Sequence, residues 1–383
     1  MPDEEREAFG PEPLAGLQVV DLSRVLAGPL CTMILGDLGA DVIKVERPGV
    51  GDDTRTWGPP FVDDEAAYFL SLNRNKRSVA VDLSAEEGAA TIRTLIGGAD
   101  VVMENFRSGV MESFGLGLDA LREEHPRLVT CTLTAFGEDP SERRPGYDII
   151  MQALSGLMSV TGEPDGEPVK VGVALLDVIA GLYAAIGILA ALSERDRSGR
   201  GRHVSVSLFD AAAAAMVNQA ANYLLGGVVP SAMGTAHPNI VPYQAFRAAD
   251  RPFILAAGND RLFARTCEII ARPELADDPR FATNEARVRE RETLVPLLQG
   301  LFATETAEHW LSALEGAGVP CAPVRSLEEV FTSPEGRAAV QQIAGLDLVA
   351  DPIKVAGERL PTRLRPPHLG EHTEDVLGTR KDR

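Results

Sequence analysis

The chain has 383 residues, 45% of them apolar and 24% charged, which gives it enough length for two or three domains with a substantial core. A formal net charge of -19 argues against a nucleic-acid partner, because phosphate backbones repel such a surface, but it allows a small anion to bind in a locally basic cleft. The four cysteines, Cys31, Cys131, Cys267 and Cys321, are widely spaced and form no C-x-x-C pair, which predicts free thiols in a reducing compartment.

The opening MPDEEREAFGPEP is acidic and polar, unlike a secretory signal, and a cytoplasmic location is expected. Leu17 to Ser23 then reads as a short buried strand, and Pro29 to Leu38 as a helix with proline in its first turn. Asp41 to Glu46 is a second strand, so the order strand–helix–strand predicts a parallel pair with a right-handed crossover. The alternation continues with strands at Ser78–Leu83, Asp100–Asn105 and Leu128–Phe136, and helices at Ala85–Gly97 and Gly117–Glu124. This pattern predicts an α/β fold with a doubly wound sheet, whose ligands bind beyond the carboxyl ends of the strands.

A long apolar run follows, from Val171 to Leu192, and Asp177 is its only charged residue. The run approaches the length of a membrane span, but its acid and its many Gly and Ala residues favour a buried core helix. His203 to Asp210 alternates as a half-buried strand, and an Ala-rich helix is expected from Ala211 to about Leu225. The Gly- and Pro-rich stretch to Phe246 reads as a loop or boundary. Beyond it, a strand at Phe253–Gly258, helices at Asp260–Ala271, Glu285–Ala303 and Ala307–Ala317, and an extended piece at Pro320–Val324 suggest a smaller α+β unit.

Several motifs can be weighed directly. The turn after the first strand, SRVLAGP, has one glycine where a dinucleotide fold needs G-x-G-x-x-G, and no phosphate-binding G-x-x-x-x-G-K-[ST] occurs. His368, Glu371 and His372 have the H-x-x-E-H spacing of some zinc peptidases, but Pro366, Pro367 and Gly370 break the helix that such a site requires, so no metal is expected. Ser155 lacks the flanking glycines of a nucleophile elbow. Arg47, Arg74, Lys76, Arg77 and Arg107 stand out in an acidic chain; they read equally as a solvated rim or as a grip on a phosphorylated ligand.

A buried carboxylate is costly without a partner, so Asp177 needs a reason. It could cap a helix starting near Val178, pair with Lys170 or a distant arginine, or do chemistry. A cap and chemistry are compatible: a helix N-terminus favours the anion, and an ionised, fixed carboxylate is a competent nucleophile.

Together these segments resemble one family. PLAGLQVVDLSRVLAGPLCTMILGDLGADVIKVERPGVGDDTR, NRNKRSVAVDL, DVVMENFRSGV and RPGYDIIMQALSGLMSVTGEPDGEPVKVGVALLDVIAGLYAAIGILAAL are similar, in that order, to the markers of the class III CoA-transferases, or CaiB/BaiF family. The resemblance runs from about Pro13 to Leu377. It implies a Rossmann-like large domain at 12–205, completed by about 350–383; linkers at 206–240 and 326–349; and a small α+β domain at 241–325. It further implies an obligate homodimer of interlocked rings, acyl-CoA and a carboxylic acid as substrates, coenzyme A as substrate and not a resident cofactor, and neither nucleic acid nor membrane as partner.

By the same resemblance Asp177 is the nucleophile, and Leu26, Ala27 and Arg47 contact CoA. Val81, Asp82, Leu83 and Ser84, with Asn105, Phe106 and Arg107, form further CoA-contacting stretches, and Tyr147 and Asp148 are a polar pair beside the thioester. Leu26 stands where formyl-CoA:oxalate transferases have glutamine, and their glycine-rich lid is not evident, which disfavours an oxalate-specific role. Tyr147 stands where the α-methylacyl-CoA racemases have a histidine base, which favours CoA transfer over racemisation. The alternatives are that racemase activity and a non-catalytic CoA-binding protein. His237 and Gln244 are candidates for shaping the acceptor pocket.

Overall fold

The structure is a computed structural model that describes residues 12–139, 141 and 144–378; the acidic N-terminal residues 1–11, on which most of the signal-peptide argument falls, lie outside them. Two compact units are present: the described residues within 12–157, 170–227 and 338–378 form the first, and 158–169 and 228–337 the second.

The first unit is built on a parallel six-stranded sheet. Its strands are β1 (Gln18–Asp21), β2 (Asp41–Glu46), β3 (Lys76–Ala80), β4 (Val101–Glu104), β5 (Val129–Thr134) and β6 (His203–Ser207), in the spatial order β3-β2-β1-β4-β5-β6. That is the doubly wound order, and its reversal point lies between β1 and β4, where Val20 pairs with Val102.

Strand periodicity assigns alternate side chains to opposite faces, and the core divides accordingly. Val19, Val42, Val101, Met103 and Cys131 pack on one side against α1 (Ala27–Asp37), α5 (Leu175–Ser198) and α6 (Leu208–Ala215). Val20, Ile43, Val45, Val79 and Val102 pack on the other against α2 (Glu86–Ile96), α3 (Leu118–Glu124) and α12 (Thr373–Gly378). The Val171–Leu192 run is therefore a core helix along one face: Ala180, Ala184, Ala185, Ile188 and Ala191 of α5 are buried in this packing.

Several boundaries differ from expectation: the strand read over His203–Asp210 ends at Ser207, and the helix read over Glu285–Ala303 is divided into Asn284–Arg289 and Arg291–Phe302. The third strand covers Lys76–Ala80 instead of Ser78–Leu83; its start is extended where the Lys76 ammonium is buried against Asp21. The expected Ala-rich helix begins three residues early and is broken: Ser207 caps α6, and α7 (Val217–Gly226) starts afresh at Val217, whose φ is 35°.

The second unit carries an antiparallel sheet of β7 (Tyr243–Arg247), β8 (Pro252–Ala256) and β9 (Cys321–Pro323), with β8 in the middle. Strand β7 lies in the stretch read as loop; its partner β8 supplies the pairing that the local Gly and Pro content obscures. Helices α8 (Asp260–Ile269), α9 (Asn284–Arg289), α10 (Arg291–Phe302) and α11 (Ala307–Gly316) enclose a core around Phe246, Phe253, Phe302 and Trp310.

Candidate active site

The turn after β1 is strained and held from several directions. Val25 adopts φ 73°, a left-handed conformation that is unfavourable for a β-branched residue. Its N–H donates to both oxygens of Asp52, at 3.3 Å each, while Asn105 at the end of β4 accepts from Arg24 N and donates to Arg24 O. Asn105 thus ties together the two strand ends that flank the reversal point. Asp52 is itself fixed by a fully buried ion pair with Lys44 at 2.9 Å. Burial opposes its charge, but the Lys44 ammonium and the Thr54 N–H outweigh that penalty and hold the Asp52 carboxyl at about 2.

This turn aims the N-terminus of α1 into a cavity of about 230 Å³. Helix α5 reaches the same place because of one small residue. A Cβ on Gly181 would lie 2.6 Å from the Ala27 carbonyl oxygen, so α5 crosses the start of α1 at backbone contact. Asp177, one turn earlier in α5, faces the cavity beside Leu26 and Ala27. Gly146 acts similarly, since a Cβ there would meet that of Ala135 at 2.1 Å; its absence lets the Tyr147–Asp148 segment lie against the end of β5.

Asp177 sits inside the first turn of a helix that begins at Leu175, so the sequence expectation that it caps a helix starting near Val178 is corrected. The cap comes instead from Asp148, at the start of α4 (Asp148–Leu154): its Oδ1 accepts from Leu176 N at 2.8 Å and Asp177 N at 3.3 Å. The expectation that the helix terminus keeps Asp177 readily ionised is also corrected. Burial first, and the neighbouring Asp148 charge second, push its carboxyl up to about 7. Lys170 is no partner for it either, for its ammonium donates to the Val171 carbonyl.

The cavity brings Asp177 together with Leu26, Ala27, Asn105, Phe106, Arg107 and Tyr147, all expected from the sequence. A second cavity, about 190 Å³, is lined by Arg47, Val81, Asp82, Leu83 and Ser84, and Arg24 and Phe106 line both. Asp148, expected beside the thioester, lines neither, being buried under α5.

Arg24, which stands at the strand end where ligands are expected, also lines the first cavity, as does Arg144, which was missed. Arg24 lies 5.5 Å from the Phe106 ring and 3.5 Å from Asp53, and its Nε is buried with no protein partner among the described residues. Its position directly after β1 was the available signal. Tyr68 was missed as well: its hydroxyl is pushed up by burial and then by the charges of Asp177 and Asp148, which marks it as their neighbour. Nothing in its local sequence distinguishes it.

The basic cluster resolves into separate roles. Arg74 pairs with Asp37 at 2.6 Å and Lys76 with Asp21 at 3.1 Å, all buried, and Arg77 binds Asp41; these three are neither a solvated rim nor part of either cavity. Arg47 is exposed and paired with Asp53 at 2.7 Å. His372 Nδ1 accepts from Ser78 N and Glu371 pairs with Arg365, and among the described residues no group of His, Cys, Asp or Glu is arranged to hold a metal. His237 and Gln244 lie in the second unit, where His237 Nδ1 accepts from Asn239 N and Gln244 is in β7.

A doubly wound sheet thus brings a carboxylate at a helix start and several arginines to two cavities beyond the ends of its strands. Comparison with known proteins makes the class specific. The sequence profile of CoA-transferase family III matches residues 14–373, and the chain belongs to that family. It is 44% identical to a succinate–glutarate CoA-transferase of Agrobacterium fabrum, covering 95% of each chain. It is 42% identical to a mouse succinyl-CoA:glutarate CoA-transferase, covering 96% of this chain and 86% of that one. A crystal structure of a CaiB/BaiF family protein from Brucella suis superposes with a TM-score of 0.85 at 44% identity, covering 97% of this chain and all of the other.

Proposed function

We propose that this enzyme moves CoA from succinyl-CoA to a short dicarboxylic acid, with glutarate the first acceptor to test, and that Asp177 is its nucleophile. The observation that carries this reading is the Asp177 carboxylate, fixed in the first turn of α5 and facing a cavity that Arg24, Arg107 and Arg144 also line. The names of the mouse and Agrobacterium relatives support the choice of donor and acceptor.

CoA enters with its nucleotide end in the second cavity, beside Arg47 and Val81–Ser84, and its thioester in the first. Phe106 and Arg24 line the junction, and the unsatisfied Arg24 Nε favours an anionic group there. Asp177 attacks the thioester carbonyl, giving a mixed anhydride and CoA thiolate. The thiolate attacks the aspartyl carbonyl, so that an aspartyl-CoA thioester forms and the donor acid leaves. The acceptor carboxylate attacks this thioester, releasing thiolate and forming a second anhydride. Thiolate then attacks the acceptor's acyl carbon and restores the Asp177 carboxylate. The overall reaction exchanges one thioester for another of similar energy, so no nucleotide hydrolysis is required. Amides at the start of α1 stabilise the tetrahedral oxyanions.

Two copies of the chain form the working molecule in this reading, and the exposed apolar side chains of α4, α5 and α7 are the surface the second copy covers. The large domain at 12–205 with the C-terminal segment holds CoA. The test is a transfer screen pairing several acyl-CoA donors with many acids. Wild type should convert succinyl-CoA and a dicarboxylate to the exchanged pair, and Asp177→Asn should lose at least about 1,000-fold in kcat. Wild-type rates in that variant would sink the mechanism.

A further inference from the structure

We propose that Asp148 is a positioning residue for Asp177: it occupies the first amides of α5, so that the Asp177 carboxylate meets the cavity without the hydrogen-bond donors a helix start would otherwise give it. The proposal rests on Asp177 being the nucleophile.

The amides of this helix start are accounted for one by one. Leu175 N donates to Val173 O, Leu176 N and Asp177 N to Asp148 Oδ1, and Val178 N to Ala174 O. A carboxylate in a first turn ordinarily leans back on such donors and is stabilised by them. Here they are taken by a different carboxylate, whose hold is reinforced from behind. Gln152, fully buried, donates from Nε2 to Asp148 Oδ2 at 2.5 Å, and its Oε1 accepts from Val171 N at 2.8 Å. One side chain thereby links the capping acid to the strand of chain that leads into α5.

The consequence is chemical. An anion stripped of donors is a stronger nucleophile than one that is well solvated, and Asp148 adds like charge from the side opposite the cavity. The direction of the Asp177 shift agrees, with burial and then Asp148 raising it. The other titratable groups around Asp177 are Tyr68, whose hydroxyl is itself pushed up, and the cavity groups Arg24, Arg107, Arg144, Tyr147 and Asp53.

The experiment compares wild type, Asp148→Asn and Asp148→Ala, each also with Asp177→Asn. The asparagine variant keeps an oxygen to cap α5 but removes the charge; the alanine variant removes both. In wild type, kcat/KM for the acyl-CoA should fall as pH drops through about 7. In Asp148→Asn that limb should move down by about one pH unit or more, and in Asp148→Ala kcat should fall roughly 100-fold.

A second readout needs no turnover. A carboxyl raised in the folded state destabilises the protein progressively as pH rises from its unfolded value to its folded value. The Tm advantage of Asp177→Asn over its parent should therefore widen with pH up to about 7 in wild type, and stop widening at lower pH when Asp148 is asparagine. An unmoved limb and an unmoved Tm crossover in Asp148→Asn would overturn the proposal. So would a wild-type advantage that stops widening below about pH 5, which decides the matter even if the variants do not fold. Should Asp177→Asn transfer CoA normally, the nucleophile reading fails, while the Tm arm still reports whether Asp148 governs that carboxyl.

Discussion

The strained Val25 turn depends on a charge pair far from water. Lys44 and Asp52 have no exposed side-chain surface, and Asp52 also accepts from Val25 N, Thr54 N and Thr54 Oγ1. Removing one partner strands the other, so Asp52→Asn should destabilise the fold by roughly 3–5 kcal/mol, measured by urea unfolding at pH 7. Replacing both residues by apolar ones of similar size should cost much less. The acid dependence has a fixed sign: the folded carboxyl is held at about 2, below its usual value, so its contribution is full above that usual value and disappears as pH falls through about 2. Wild type should lose stability over that range relative to Asp52→Asn, and parallel acid unfolding curves would refute the assignment. None of this was legible beforehand, because Asp52 reads as an ordinary loop acid. Asp177, by contrast, was visible at once, since an acid within an apolar run violates the pattern around it; the acid that caps its helix, Asp148, comes from another segment and leaves no such trace.

At the level of elements, what the site requires is the approach of α1 and α5 through Gly181. Glycine in a helix interior costs about 1 kcal/mol relative to alanine, so Gly181→Ala would stabilise an isolated helix. In the protein the new methyl meets the Ala27 carbonyl at 2.6 Å and must push the helices apart. The overpacking should win, giving a net loss of about 1–3 kcal/mol in chemical unfolding and a fall in kcat greater than any change in KM. A more stable and fully active Gly181→Ala enzyme would contradict this account of how Asp177 comes to lie beside Leu26 and Ala27. The strands and helices themselves follow from hydrophobic period: β2 matches the expected residues throughout, and α1 and α2 differ by a residue or two at their ends. Strand β7 did not follow, because the Gly- and Pro-rich residues leading into it read as loop, while its stability comes from hairpin pairing with β8 and from burial of Phe246 in the second core. The buried pairing of Arg74 and Lys76 was likewise hidden, as a run of basic residues looks the same whether its partners are solvent or the acids of α1 and β1.

For the whole molecule, the deciding feature is apolar surface left on the first unit. Leu224 and Leu225 at the end of α7 are 75% and 88% exposed, Ile186 of α5 is 61% exposed, and Ile149, Ile150 and Leu154 of α4 are each more than 40% exposed. Large apolar side chains left this exposed are the surface that the proposed homodimer would cover. A second copy of the chain is the occupant in the proposed homodimer, so light scattering should give about twice 40.9 kDa. Leu225→Glu should lower yield and favour aggregation, since burying that carboxylate has no compensating partner. The interlocked rings that the family resemblance implies would add a kinetic requirement that an ordinary dimer lacks: the copies could not part unless one of them opened. Differently tagged dimers mixed under native conditions should exchange no subunits over days, and should exchange only after denaturation and refolding. A monomer in light scattering would remove the dimer, and exchange within minutes would leave a dimer whose two chains lie side by side without being threaded.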